Sequence, residues 1–220
     1  MHQSWKLAVV PLLASASLLS IGCGSSSAHV RLVNALPSQS SLDMLVDSKD
    51  VASAVAYGSG SAYASVSSGS RHLQIEISGT TDVLSDESVS LSSGTDSTVL
   101  DTNSGVTVLT DGNSTPASGD ISIRAINASA TLGPADVYIV PAGTDITTVN
   151  PTASNVVFPS ATAYQTVAAG SYQIIFTQAG QKVPVISSSP LSFSAGQVRS
   201  VVGLDGQNGG FTIAVLSDLN

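Results

Sequence analysis

The chain has 220 residues, and 7 Lys and Arg against 15 Asp and Glu give it a formal net charge of −8 at pH 7. Only 10% of its residues are charged and 42% are hydrophobic, a balance that excludes a disordered chain and a coiled coil. So few basic residues argue against nucleic acid as a partner, because neutralised phosphates supply most of the non-specific affinity for it. The composition therefore predicts a β-rich exported protein.

The first 22 residues have the features of a signal peptide. An apolar run at 7–21 suits the core of such a peptide and is too short to span a bilayer. The run ends at Gly22-Cys23, which resembles the bacterial lipobox, where a cysteine receives lipid through its sulfur. We therefore predict a lipoprotein signal peptide at 1–22.

Cys23 is the only cysteine of the chain, which excludes disulfides. We expect Cys23 to carry the lipid, with an ordinary buried thiol as the alternative, and residues 23–29 to form a flexible tether. By resemblance to Gram-negative lipoproteins, Gly24 after the cysteine implies anchoring in the outer membrane. The expected membrane contact is thus made through the N-terminal lipid.

A sequence repeat divides the remaining chain. Arg31–Ala35 resembles Arg124–Ala128, 93 residues later, and Asp43 recurs at the same spacing as Asp136. Further matches follow at larger spacings, as expected from loop insertions: Tyr57 with Phe158, Tyr63 with Tyr164, Gly69 with Gly170, and 106–111 with 213–218. The repeat predicts two copies of one domain.

We place the copies at 30–110 and 120–218, joined by a linker at 111–119 that is rich in turn-forming and small polar residues. Short strand patterns separated by Gly and Ser clusters are typical of a sandwich. The predicted fold is all-β, with two tandem immunoglobulin-like or transthyretin-like β-sandwich domains after the signal peptide.

Individual segments support this fold. Arg71–Ile77 alternates apolar and polar residues, as a half-buried strand does, and places His72 on the polar face. Ser171–Thr177 is apolar on both faces, which predicts a more central strand. At most, Gly143–Val149 could form a single helical turn.

These landmarks resemble a known family. Val30–Ala35, Leu42-Asp43 and the Tyr57-Gly58 pair, with their later counterparts, resemble the bacterial domain of unknown function 4397. The resemblance implies a secreted or lipidated protein, with domains often in tandem and an uncharacterised activity. Family members commonly have a histidine after the first strand, where this chain has Asn34 and Asn127.

Candidate catalytic residues are few. Beyond the signal peptide, the histidines are His29 and His72, and the second copy has none. The sequence contains no nucleophile-elbow motif, no zinc-binding motif and no phosphate loop, so we expect no metal and no cofactor. His72 is predicted to be exposed to solvent rather than catalytic.

Two charged pairs recur in the copies. Arg31 with Asp43, and Arg124 with Asp136, could pair across neighbouring strands. We expect solvated ion pairs at these positions, with a ligand site as the alternative. The recurring aromatic residues are expected to pack in the core.

The predicted function is a surface-tethered, non-enzymatic lipoprotein that serves as a binding, adhesion or envelope-structural module. Its expected ligand is a polysaccharide or an envelope protein, bound through loops at a sandwich end. Asn34 and Asn127 are the candidate ligand-binding residues, with capping of a turn as the alternative role. A different hypothesis is a cell-envelope hydrolase that acts on polysaccharide through carboxylates in an inter-domain cleft.

Overall fold

The computed structural model describes His2 and residues 26–219. Cys23 and, apart from His2, the expected signal peptide at 1–22 lie outside the described residues. No helix in the described part of the chain is long and apolar enough to cross a membrane. Almost all of the described secondary structure is β, as predicted.

The first half of the chain forms two four-stranded sheets. Its strands are β1 Ser27–Asn34, β2 Ser41–Val46, β3 Lys49–Ala56, β4 Ala64–Ser67, β5 Gly69–Ile77, β6 Val83–Leu91, β7 Asp96–Thr102 and β8 Gly105–Asp111. The strand orders are β4-β1-β7-β8 and β3-β2-β5-β6, and β1 runs parallel to β7. Leu32, Met44, Leu73 and Val99 belong to one buried apolar cluster to which both sheets contribute. This is the first sandwich.

The second half has the same strand order. Its elements are β9 Asp120–Ala128, β10 Ala135–Pro141, a 3-10 helix Ile146–Thr148, β11 Ala153–Val156, β12 Ser160–Ala161, β13 Gln165–Ala168, β14 Gly170–Gln178, β15 Pro184–Ser187, β16 Leu191–Phe193, β17 Val198–Asp205 and β18 Phe211–Leu219. One sheet has the order β12-β9-β17-β18 with β13 also on β9, and the other has the order β11-β10-β14-β15 with β16 on β14. Strand β9 runs parallel to β17, as β1 does to β7. This is the second sandwich.

The two sandwiches meet across a further apolar cluster. Val33 and Leu100 from the first sandwich pack with Ile126, Val202 and Leu216 from the second. These residues lie on β1, β7, β9, β17 and β18, so the two sheets that contain parallel pairs face each other. Burial of apolar surface between them stabilises the arrangement of the two sandwiches.

Most of the local expectations agree with the structure. Arg71–Ile77 lies within β5, where Leu73 is buried and His72 is exposed. Ser171–Thr177 lies in β14, which has strand neighbours on both sides, and the single helical turn falls within Gly143–Val149. Alternation of apolar residues therefore identified the faces of these strands correctly.

Two expected boundaries need correction. Strand β1 begins at Ser27, inside the expected tether at 23–29, because its first residues pair with β4. Asp111 lies in the predicted linker at 111–119 but is the last residue of β8, where it is 7% exposed. The connection between the sandwiches is therefore 112–119.

Candidate functional site

Arg31 is buried where the sandwiches meet. It lies on β1 and is only 1% exposed. Its Nη2 lies 2.5 Å from Asp218 Oδ1, and its Nη1 donates to the carbonyl of Ser217 at 3.1 Å, both in the second sandwich. Its Nε donates to Thr98 Oγ1 at 2.8 Å within its own sheet. The guanidinium therefore joins the two halves of the chain.

Arg124 makes the same contacts in the opposite direction. It lies on β9, pairs with Asp111 and donates to the Thr110 carbonyl at 3.1 Å, both on β8 of the first sandwich. Its Nε donates to Ser200 Oγ at 2.8 Å within its own sheet. Each sandwich thus contributes one arginine that pairs with an aspartate of the other sandwich.

Two tyrosines connect these ion pairs. The guanidinium of Arg31 lies 4.7 Å from the centre of the Tyr63 ring, and Arg124 lies at the same distance from Tyr164. Tyr63 donates to Asp111 Oδ2 at 2.5 Å, and Tyr164 donates to Asp218 Oδ2 at 2.8 Å. Burial raises the pKa of both phenols above the usual range, so they remain neutral donors.

The result is a closed ring of contacts, which we call the Arg–Tyr–Asp ring. Its members, in order, are Arg31, Tyr63, Asp111, Arg124, Tyr164 and Asp218. Two positive and two negative charges balance within the ring. Thr98 donates a hydrogen bond to Asp111 and Ser200 donates one to Asp218, each at 2.6 Å. A buried charge is tolerated only when it is paired and hydrogen-bonded, and each charge of this ring meets both conditions.

The charge of Arg31 is held firmly. Burial lowers the pKa of Arg31, but its acidic surroundings, Asp218 first among them, outweigh burial and raise this pKa above its usual value. Every charged group of the ring is paired within it, and Arg31, Tyr63 and Asp218 also line a surface groove between 58–63 and 215–219. The ring therefore holds the two sandwiches together through ion pairs and hydrogen bonds.

The predicted pairing of the arginines with Asp43 and Asp136 is wrong. Asp43 accepts a bond from the Ala54 amide at 2.6 Å, and Asp136 accepts one from the Asn155 amide at 2.8 Å. Ala54 and Asn155 have φ angles of 53° and 54° on the edge strands β3 and β11. The two carboxylates hold irregular edge strands, because positive φ is unfavourable there without such support.

Asn34 and Asn127 are also structural. Both are fully buried. The Asn34 amide donates to the Val55 carbonyl at 3.1 Å, and the Asn127 amide donates to the Val156 carbonyl at 3.0 Å. Each side-chain oxygen accepts a hydrogen bond from the backbone N–H two residues later, as in an Asx turn. Neither side chain is open to a ligand, so we do not retain them as binding residues.

The two histidines of the first sandwich are exposed and lie in separate pairs. His29 Nδ1 is 2.8 Å from Asp96 Oδ1, and His72 Nε2 is 2.5 Å from Asp86 Oδ1. Ser65 lies opposite His29 in the register of β4 and β1, but no hydrogen bond joins Ser65 to His29 among the described contacts. Within residues 26–219, His, Cys, Asp and Glu form no group of three or more that could hold a metal ion.

The surface grooves of the described residues include a small one of about 260 Å³ at 94–96 and 111–114 and two larger ones. One, of about 390 Å³, lies at the end of the first sandwich where residue 26 precedes β1. Asp47, Lys49 and Asp50 line this groove together with serines from β1 and β4. The other, of about 600 Å³, lies between 58–63 and 215–219. The only carboxylate lining this second groove is Asp218, which is paired with Arg31. The two facing carboxylates of the hydrolase hypothesis are therefore not found in it.

Sequence reasoning missed the partners of the arginines. Asp111 and Asp218 recur within the matched segments 106–111 and 213–218, and this recurrence was the available signal. It could not show that each aspartate crosses to the other half. Thr98 and Ser200 carried no signal, because they differ in type and occur among many other hydroxyl residues.

The fold and these contacts define a class: an all-β protein of two sandwiches whose recurring polar residues fasten the structure. The chain belongs to the family described as domain of unknown function DUF4397, whose profile matches residues 28–138. That match spans the first sandwich and continues into β10.

Among curated proteins, none matches the chain. Among solved structures, the family 26 carbohydrate-binding module of Eubacterium rectale Amy13K, solved with maltoheptaose, is 11% identical. The alignment covers 88% of this chain and 98% of that one with a TM-score of 0.29, too low to indicate a shared arrangement.

Proposed function

We propose that the chain is an exported, lipid-anchored envelope protein in which two copies of the family domain form a non-enzymatic scaffold for binding or adhesion. One observation carries the proposal: the polar residues that recur in both halves make internal contacts. Arg31 and Arg124 pair with Asp218 and Asp111, while Asn34 and Asp43, like their counterparts, bond to backbone groups. The motif therefore maintains a rigid framework, and recognition is left to surface loops.

The anchoring part of the proposal depends on Cys23. Strand β1 begins at Ser27, so a lipid on Cys23 would hold the first sandwich close to the membrane. Metabolic labelling with a fatty-acid probe should mark the wild type, and Cys23→Ser should remove the label and leave the protein unprocessed. An unlabelled wild type contradicts anchoring, and fractionation of the labelled protein tests the outer membrane as its destination.

The binding part assigns recognition to the groove near the tether. Asp47, Lys49 and Asp50 supply carboxylate and ammonium groups there, and these groups suit the hydroxyls of a polysaccharide or the polar surface of an envelope protein. In the second sandwich the corresponding end carries Ile146 on the short helix, which packs on Tyr138 and Val140. The groove is thus a feature in which the two sandwiches differ.

Binding should be tested with residues 26–219 on glycan arrays and in pull-downs from envelope extracts. The variant Lys49→Ala/Asp50→Ala should lose captured ligands at least tenfold, whereas Lys182→Ala, which removes a positive charge from the second sandwich, should retain them. Equal binding by both variants would exclude this groove. If the wild type hydrolyses a glycan or an ester, and His29→Ala or His72→Ala abolishes that hydrolysis, the chain is an enzyme and not a binding scaffold.

A further inference from the structure

We propose that the surfaces joining the two sandwiches also join two copies of this chain, by reciprocal exchange of sandwiches when the protein folds at high local concentration. The inference does not depend on the proposed ligand. It rests on the symmetry of the Arg–Tyr–Asp ring and on the short connection at 112–119.

The joining surface is self-complementary. The first sandwich carries Arg31 and Asp111, and the second carries Arg124 and Asp218 at equivalent strand positions. The surrounding apolar residues also correspond, Val33 to Ile126 and Leu100 to Val202 by strand order. This is the geometry of an isologous interface, in which the same patch is contributed by both sides.

Exchange preserves every contact of that interface. In an exchanged dimer, Asp218 of the partner subunit completes the site of Arg31, and the same holds for the remaining members of the ring. The closed monomer and the exchanged dimer therefore differ mainly in the connection and in the entropy of association.

The connection determines which form prevails. A short flexible linker gives an effective concentration on the order of 1 mM, so dilute chains should close on themselves. Near that concentration, the second sandwich of a neighbouring chain competes on equal terms. Confinement to a membrane through a lipid would raise the local concentration toward this range.

Geometry also sets a minimum length for closure. The connection runs from Asp111 to Asp120. The side chain of Arg124 reaches across the interface to Asp111, and Asp120 lies four residues, about 13 Å, along β9 from Arg124. Deletion of 113–118 leaves two residues, whose three steps span about 10 Å. We expect such a chain to be unable to close and to exchange instead.

The first experiment uses light scattering on four forms of residues 26–219, refolded from urea at 10 µM. The wild type and a control with eight Gly and Ser residues inserted after Ser114 should contain a few per cent of dimer, by the ratio of 10 µM to about 1 mM. The variant lacking 113–118 should be mainly dimeric. Addition of Arg31→Ala and Arg124→Ala should lower its dimer fraction at least fivefold. A folded monomer without 113–118, or a dimer indifferent to the arginine changes, would overturn the proposal.

A second experiment does not require the shortened chain to fold. Arg31→Glu and Asp218→Lys each place two like charges in one ion pair of the closed monomer. When the two variant chains are mixed before refolding, only an exchanged heterodimer places opposite charges at positions 31 and 218 in both of its joined surfaces. The control carries both changes in one chain and should be a monomer. Co-purification of differently tagged chains supports the proposal, and a folded control without any heterodimer in the mixture refutes it.

Discussion

At the scale of single residues, Arg31 illustrates how much depends on one buried charge. Arg31→Ala would leave Asp218 buried without its counter-ion, a change that typically costs about 3–5 kcal/mol. Urea denaturation should show this loss in the free energy of unfolding. The matched control is Arg71→Ala, whose exposed pair with Asp47 should contribute less than about 1 kcal/mol. Equal losses in the free energy of unfolding would mean that the buried ion pair stabilises the protein no more than the exposed one.

A second residue, Asp101, is buried without such compensation. It is 1% exposed, and its Oδ2 has no hydrogen-bond partner. Burial, with the nearby charge of Glu87, raises the pKa of Asp101 from 3.8 to about 6. The folded protein therefore holds this proton more tightly than the unfolded chain does.

The consequence is a loss of stability as the pH rises from about 4 to about 6, where the unfolded chain releases the proton first. Above pH 6 the penalty is constant, at up to about 3 kcal/mol for two pKa units. Asp101→Asn should recover this free energy at pH 7.5 and change little at pH 3.5. The exposed Asp50→Asn serves as the control, and a gain of equal size at both pH values would contradict the assignment.

At the scale of the strand, Gly203 on β17 lies where the core of the second sandwich leaves little room for a side chain. A Cβ at Gly203 would lie 3.1 Å from two atoms of the Phe176 ring and 3.3 Å from Ile186. Gly203→Ala should therefore lower the free energy of unfolding by about 1–3 kcal/mol through overpacking. Gly170→Ala, whose nearest neighbour is a Tyr172 ring atom at 3.6 Å, should be tolerated. Similar unfolding midpoints for both variants would show that Phe176 can move aside.

The strands also show what could be predicted from the sequence. Alternation placed Leu73 inside and His72 outside, since adjacent side chains of a strand point to opposite faces. The recurrence of Arg31 with Asp43 in both copies predicts a solvated ion pair across neighbouring strands instead. A strand pattern cannot reveal that another sandwich covers Arg31, nor that the partner is Asp218, 187 residues away. The local fold was thus accessible from the sequence, and the long-range contact was not.

At the scale of the whole molecule, the two sandwiches share enough contacts to unfold together. The apolar cluster of Val33, Leu100 and Val202 lies between them, and separation would also expose the Arg–Tyr–Asp ring. Neither half can lose its structure without leaving the other half's arginine or aspartate without a partner. The molecule should therefore behave as one cooperative unit despite having two cores.

Scanning calorimetry on residues 26–219 should show one transition whose calorimetric and van't Hoff enthalpies agree. In Arg31→Ala/Arg124→Ala both ion pairs are absent and Asp111 and Asp218 are left buried without counter-ions at the interface, so the sandwiches should uncouple and melt in two steps. Arg71→Ala, which leaves the interface intact, should keep the single transition. Two separate transitions in the wild type would show that the interface contributes too little to couple the halves, because strong coupling forces the less stable sandwich to unfold with the more stable one.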